Sequence, residues 1–156
     1  MTERLLIDSS VIAIPIGVRD KEDADKIHDH TLHFDISDAA IKDLKTRQAA
    51  TDQALAGIRS KYNAALGEDG EVTEDNLGEA IQGIGESLRA QFDADYGDGE
   101  YDTVVQLGGG NSVINMLALY QQVNDFVGAR LVQKFEKLNK QSANRQAKYL
   151  KKRGKK

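Results

Sequence analysis

Ile12, Ile14, Ile16 and Val18 alternate with Val11, Ala13, Pro15 and Gly17. Residues 11–18 therefore read as a strand with one strongly apolar face and one small face. Pro15 has no N–H to donate, which puts this strand at a sheet edge. Residues 30–36 read as a second strand, with Leu32, Phe34 and Ile36 on one side and Thr31, His33 and Asp35 on the other. The charged connection 19–29 makes the pair a hairpin with a long loop. A two-stranded ribbon is marginal alone in water, so its apolar face must lie on helices or against another chain.

From residue 37 the period changes. Ser37 is a good N-cap, and Asp38 puts negative charge in the first turn, where the helix dipole favours it. Ile41, Leu44, Gln48, Thr51, Leu55, Ile58, Tyr62 and Ala65 follow at alternating steps of three and four, a heptad-like inward face weakened in its middle by Gln48 and Thr51. Gly67 to Gly70 ends a helix of about 30 residues, roughly 45 Å long. Thr73 should cap a second helix whose buried stripe is Leu77, Ile81, Ile84, Leu88 and Phe92. Gly78, Gly83 and Gly85 each weaken it by up to ~1 kcal/mol relative to Ala and predict a tightly packed neighbour. Residues 93–100 are acidic and broken by Gly97 and Gly99. Residues 101–107 then predict a short helix with Tyr101, Val104 and Leu107 on one face. Gly108 to Gly110 stop it, and Asn111 or Ser112 caps a third long helix, to about residue 141. Its apolar positions are Val113, Ile114, Leu117, Tyr120, Val123, Val127, Leu131, Phe135 and Leu138.

The fold class is thus mainly α: an N-terminal β-hairpin, about 11–36, followed by a bundle of three long amphipathic helices. Residues 1–141 form a single helical domain, and 142–156 a basic, flexible tail. Composition agrees. With no Trp, one Pro, four Phe and five Tyr, the core must come mainly from Leu, Ile, Val and Ala, which favours packed helices over a sandwich or barrel. The absence of Cys excludes thiolate chemistry and disulfides. The N-terminus is too short and too soon charged for a signal peptide, and no apolar run approaches the ~18–20 residues of a membrane span. A soluble, intracellular protein is expected.

Charge sharpens the picture. The net charge is −4, yet residues 1–136 hold all 25 acids against 12 basic residues, −13, while 137–156 hold nine basic residues and no acid, +9. A basic tail on an acidic body can bind nucleic acid, an acidic partner or neighbouring copies; the plainer reading is a solvated terminus.

Candidate chemistry is sparse. On a strand His28 and His30 face one way and His33 the other, so the three do not converge on a metal. The run from Asp93 to Gly99 suggests a calcium loop, but the fifth, sixth and twelfth positions hold Gly97, Asp98 and Val104 where Asp or Asn, Gly and Glu are needed. Gly108-Gly109-Gly110-Asn111-Ser112 lacks the Gly-Lys-Ser/Thr of a P-loop and reads as a helix-starting turn. No nucleophile elbow and no acid pair in an apolar setting is present. No catalytic residue, metal or cofactor is expected.

The order of parts carries more. An Ile14-Pro15-Ile16 strand precedes His33-Phe34-Asp35-Ile36-Ser37-Asp38, which runs straight into a helix. Phe92-Asp93-Ala94-Asp95-Tyr96-Gly97-Asp98 and Tyr101-Asp102-Thr103-Val104-Val105 follow, and Gly110-Asn111-Ser112-Val113-Ile114-Asn115-Met116-Leu117 opens the last helix. From about residue 11 to 138 this resembles the tail assembly chaperones of long-tailed, siphovirus-type bacteriophages of Gram-positive hosts. The resemblance implies a non-enzymatic protein of the host cytoplasm. It would bind the tape measure protein, a very long helical chain, keep it soluble while the tail tube polymerises, and be absent from the mature virion. Self-association into oligomers is compatible with it, by strand addition at the hairpin edge. Neither a membrane nor nucleic acid is an expected partner. Ile114, Leu117 and Val127 are assigned to the core. Leu131, Phe135, Leu138, Tyr149 and Leu150, with Ile12 and Ile14 of the hairpin, are the partner-binding candidates. The rival reading is a structural phage protein or helical adaptor whose basic tail holds nucleic acid or a neighbouring subunit.

Overall fold

The computed structural model describes residues 3–153, and side chains through residue 137 and at Lys140. It is mainly helical with an N-terminal hairpin, and among the described residues it has five α-helices where three long ones and a short one were predicted. β1 (Val11–Arg19) pairs antiparallel with β2 (Ile27–Asp35) over nine residue pairs, from Val11 opposite Asp35 to Arg19 opposite Ile27. The alternation fixes the sides: Ile12, Ile14, Ile16 and Val18 are buried, and the residues between them are exposed.

α1 (Asp38–Lys61) starts as its cap predicts, the Ser37 hydroxyl accepting the Ala40 N–H. It does not run on to residue 66. The backbone leaves helical geometry at Tyr62 (φ −110°, ψ 39°), and a separate turn, α2 (Asn63–Leu66), follows. The break lets Tyr62 turn inward, where its hydroxyl donates to Glu86 Oε1 at 2.9 Å. The predicted inward face of α1 is corrected over its first half: Ile41 and Leu44 are 56% and 48% exposed, and Thr51 is the buried residue.

α3 (Leu77–Tyr96) starts later than Thr73, because the Asn76 side chain accepts the Thr73 N–H at 2.7 Å and holds 73–76 in a turn. Leu88 and Phe92 of its predicted stripe are buried, with Ala80, Gly83 and Tyr96; Leu77 and Ile81 are exposed. The predicted close approach is found at Gly83, where a Cβ would stand 2.5 Å from Leu66 Cδ1, and at Gly85, 3.0 Å from Val113 Cγ2, but not at Gly78, where a Cβ would meet nothing within 4 Å. α4 (Glu100–Gln106) buries Tyr101 and Val104 as expected. The acidic loop before it is organised by Asp93, whose carboxylate accepts the N–H groups of Gly99 and Tyr101. The three glycines then do more than start a helix. All have positive φ, and Gly108 lies so close to Arg19 that a Cβ would stand 2.8 Å from its carbonyl oxygen. The Gly108 carbonyl also accepts the Lys21 N–H at 2.7 Å, which ties the hairpin loop to the helices.

α5 (Val113–Arg153) begins under an Ser112 cap, the hydroxyl accepting the Asn115 N–H. Its backbone stays helical to Arg153, so the helix runs past residue 141 into the basic segment. Met116, Val123 and Val127 are its buried residues. Val127 is core as assigned, whereas Ile114 is 72% and Leu117 38% exposed. The core joins the apolar face of the hairpin to Leu88, Phe92, Tyr96, Tyr101, Val104 and these three α5 residues. At its centre Phe92 sits edge-on to Tyr96 and Tyr101, with ring centroids 5.2 and 5.8 Å away. The helices form one layer in the order α5, α3, α1, because α3 packs against both others; α5 underlies β1 and α3 underlies β2.

Candidate functional site

On the face of the helical layer opposite the hairpin, an open apolar groove of about 360 Å³ runs over α3. Leu55 and Arg59 of α1 form one wall and Leu117 and Tyr120 of α5 the other; Ile84, Ser87, Leu88 and Gln91 of α3 form the floor, and Leu66 closes one end. Each contributor follows from local folding. The α1 rhythm brings Leu55 inward, and Gly83 lets Leu66 approach. The 3.6-residue period places Ile84, Leu88 and Gln91 along one side of α3. Ile81, Ile114 and Leu117, all exposed, add apolar surface on the same two helices. The Tyr120 hydroxyl donates to Asp95 Oδ2 at 2.7 Å, which fixes the ring that ends the groove. Burial pushes the Tyr120 phenol up to about 12, and burial also raises that of Tyr96, whose hydroxyl donates to Asn124. Both are neutral hydrogen-bond donors at ordinary pH, not acid–base groups.

Two other concavities are lined by several charged residues. One, between the hairpin loop and the start of α5, is lined by Arg19, Asp20, Lys21, Asn111, Asn115 and Gln122 among others. Beside it His28 lies 2.8 Å from Asp20, and His30 reaches Glu100 at 2.7 Å. These two histidines are half-buried on the inner side of β2 and brace the hairpin against its own loop and against α4; His33 is exposed on the other side. The other cleft, bounded by Asp35, Arg47, Asp93, Asp95 and Asp98, holds the Asp35 carboxyl below the usual range, chiefly through the hydrogen bonds it accepts from Ser37. Among the described residues no helix is long and apolar enough to cross a membrane.

The predicted partner residues do not converge. Ile12 and Ile14 lie in the core beneath the chain's own helices, because the hairpin covers its apolar face with them. Leu131 packs against the same core. Phe135 is 59% exposed, with Val132 beside it, on the part of α5 that extends past the body. Leu138, Tyr149 and Leu150 lie outside the described side chains. Sequence reasoning missed the groove because its walls come from three helices whose relative placement no single period encodes. The one available signal was the apolar surplus near the start of α5, where Ile114 and Leu117 compete with Met116 for the core. Comparison with protein-family profiles, curated proteins and solved structures found no match.

Proposed function

We propose that this chain is a tail assembly chaperone of a long-tailed bacteriophage, holding the tape measure protein soluble in the host cytoplasm while the tail tube polymerises. The observation that carries the reading is the open apolar groove over α3. A helical client offers apolar side chains at i, i+3, i+4 and i+7, and an apolar trough between two helices is the surface that receives them. Leu55, Ile84 and Leu117 are the contacts expected to anchor it. The −13 charge of residues 1–136 supports the role, since it keeps a complex with a sticky client in solution. The protein acts by binding, with no chemical step.

Co-expression with the tape measure protein tests this. Leu117→Asp introduces charge at a wall residue already 38% exposed, so the variant is expected to fold, with an unchanged circular dichroism spectrum. The tape measure protein is expected to move to the insoluble fraction. A folded Leu117→Asp variant that still solubilises it would overturn the assignment. One observation favours the rival adaptor reading: the helix carries its basic residues on past the body to Arg153. Deleting 142–156 separates the two. An adaptor that holds nucleic acid loses that binding together with its steep salt dependence, whereas the chaperone retains its client.

A further inference from the structure

The helical layer is three helices wide, and the sheet above it only two strands. β1 lies over α5 and β2 over α3; α1 borders the sheet across a cleft in which Leu44, Arg47 and Thr51 stand opposite Phe34, and its Ile41 and Leu44 are left about half exposed. The place of a third strand, beside β2, is empty. The hairpin's register shows what that edge offers. The Asp20 N–H donates to the Lys26 carbonyl and the Ile36 N–H to that of Ser10, so the even-numbered residues form the hydrogen-bonded pairs. In an antiparallel ladder the odd-numbered N–H and C=O groups then point away from the partner strand. Those of Ile27, Asp29, Thr31, His33 and Asp35 therefore face outward, and among the described residues none of these N–H groups is hydrogen-bonded. β1 is blunted on its own outer edge by Pro15, whereas β2 is not.

The same molecule carries an apolar segment outside the sheet. Residues 3–9 are not in any regular element, and Leu5, Leu6 and Ile7 are 102%, 85% and 98% exposed. We propose that this N-terminal arm adds, antiparallel, to the outer edge of β2 in a second copy of the chain. Arg4 then lies across from Asp35, Leu6 from His33 and Asp8 from Thr31. Leu5 and Ile7 point inward beside Phe34 and Leu32, toward the uncovered Ile41 and Leu44. The opposite charges of Arg4 and Asp35 favour this register, as does the match of apolar positions. The arm cannot fill its own chain's edge. It leaves β1 at Ser10, held beside Ile36. Two strand spacings, about 10 Å, would take roughly three residues to cross, spending the apolar triplet on the crossover. That path would also cross the connection from β2 to α1. Reciprocal exchange closes a two-fold dimer. The inference does not depend on what the groove binds.

Sedimentation and light scattering of the full chain test it with two variants. Leu5→Asp/Ile7→Asp alters only exposed arm residues, so folding is not at issue; it is expected to weaken self-association on the order of a hundredfold. Thr31→Pro removes the central N–H of the edge and is expected to do the same. Each variant retains what the other lacks, so mixing the two is expected to restore a complex containing both. A monomeric wild type would overturn the proposal. So would association that survives Leu5→Asp/Ile7→Asp but not Thr31→Pro, which would mean edge-to-edge pairing of β2 strands.

Discussion

Ile12, Ile14, Ile16 and Val18 of β1 are each no more than 9% exposed, whereas Ile41 and Leu44 of α1 are about half exposed. The two sets belong to one continuous stretch of chain, and all six are β-branched or leucine. What separates them is the number of neighbours. β1 has β2 beside it and α5 beneath it, and the glycine turn clamps its far end. α1 packs on α3 and on the short α2 at its end, and the half of it that carries Ile41 and Leu44 is the less covered. A period-two strand has one possible inner face once it lies on anything apolar. A helix buries a stripe only along the length that another element covers. The molecule is therefore closed around Phe92 and open along α1 and over the groove. That division leaves a closed core with apolar surface still available beside it.

The largest effects are expected at the closed side. Leu32 is fully buried, and Leu32→Ala is expected to cost about 2–5 kcal/mol, read as a large fall in the thermal unfolding midpoint. Gly108→Ala comes next. The φ of +76° and the Arg19 carbonyl 2.8 Å from the new Cβ both oppose it, and the strained backbone alone is worth about 1–3 kcal/mol. Calorimetry should show the loss, with the hairpin freed from its tether to the helices.

The tyrosines give a pH test of the same core. The folded-state pKa of Tyr96 and Tyr120 is raised by burial above the ordinary 10.0. The unfolded chain therefore ionises first, so their contribution to stability is complete below pH 10 and is lost as pH rises toward about 12. Tyr120→Phe should flatten the fall in melting temperature over that interval; an unchanged slope would mean that the ring is not buried. At the open side the smallest effect is expected. Ile41→Ser and Leu44→Ser should each change stability by less than about 0.5 kcal/mol in the monomer. A cost as large as that of Leu32→Ala would show that α1 is covered after all.

Much of this architecture is written locally. The alternation from Val11 to Val18 and from Thr31 to Ile36, the Ser37 and Ser112 caps, and the short helix with Tyr101 and Val104 inward all depend on neighbours a few residues apart. Where the reading failed, two local solutions were equally good. Ile114 and Leu117 are as apolar as Met116 and Leu119, and the placement of α3 and the hairpin decides which pair goes inside. Thr73 is a good cap by type, but Asn76 accepts its N–H and holds 73–76 in a turn, so α3 starts after Asn76. The break at Tyr62 answers to Glu86 and Gly83, far along the chain. The groove was illegible for the same reason: Leu55, Ile84 and Leu117 are each ordinary helix positions until three helices bring them together.

The groove over α3 is the surface proposed to hold a helical client. Hydrogen–deuterium exchange on the full chain, with and without the tape measure protein, tests it directly. The account predicts added protection in α1 and α2 around Leu55 to Leu66, in α3 around Ile84 to Gln91, and at the start of α5 around Leu117 and Tyr120. Protection confined to the hairpin or to α5 beyond Leu131, with these three segments unchanged, would contradict it.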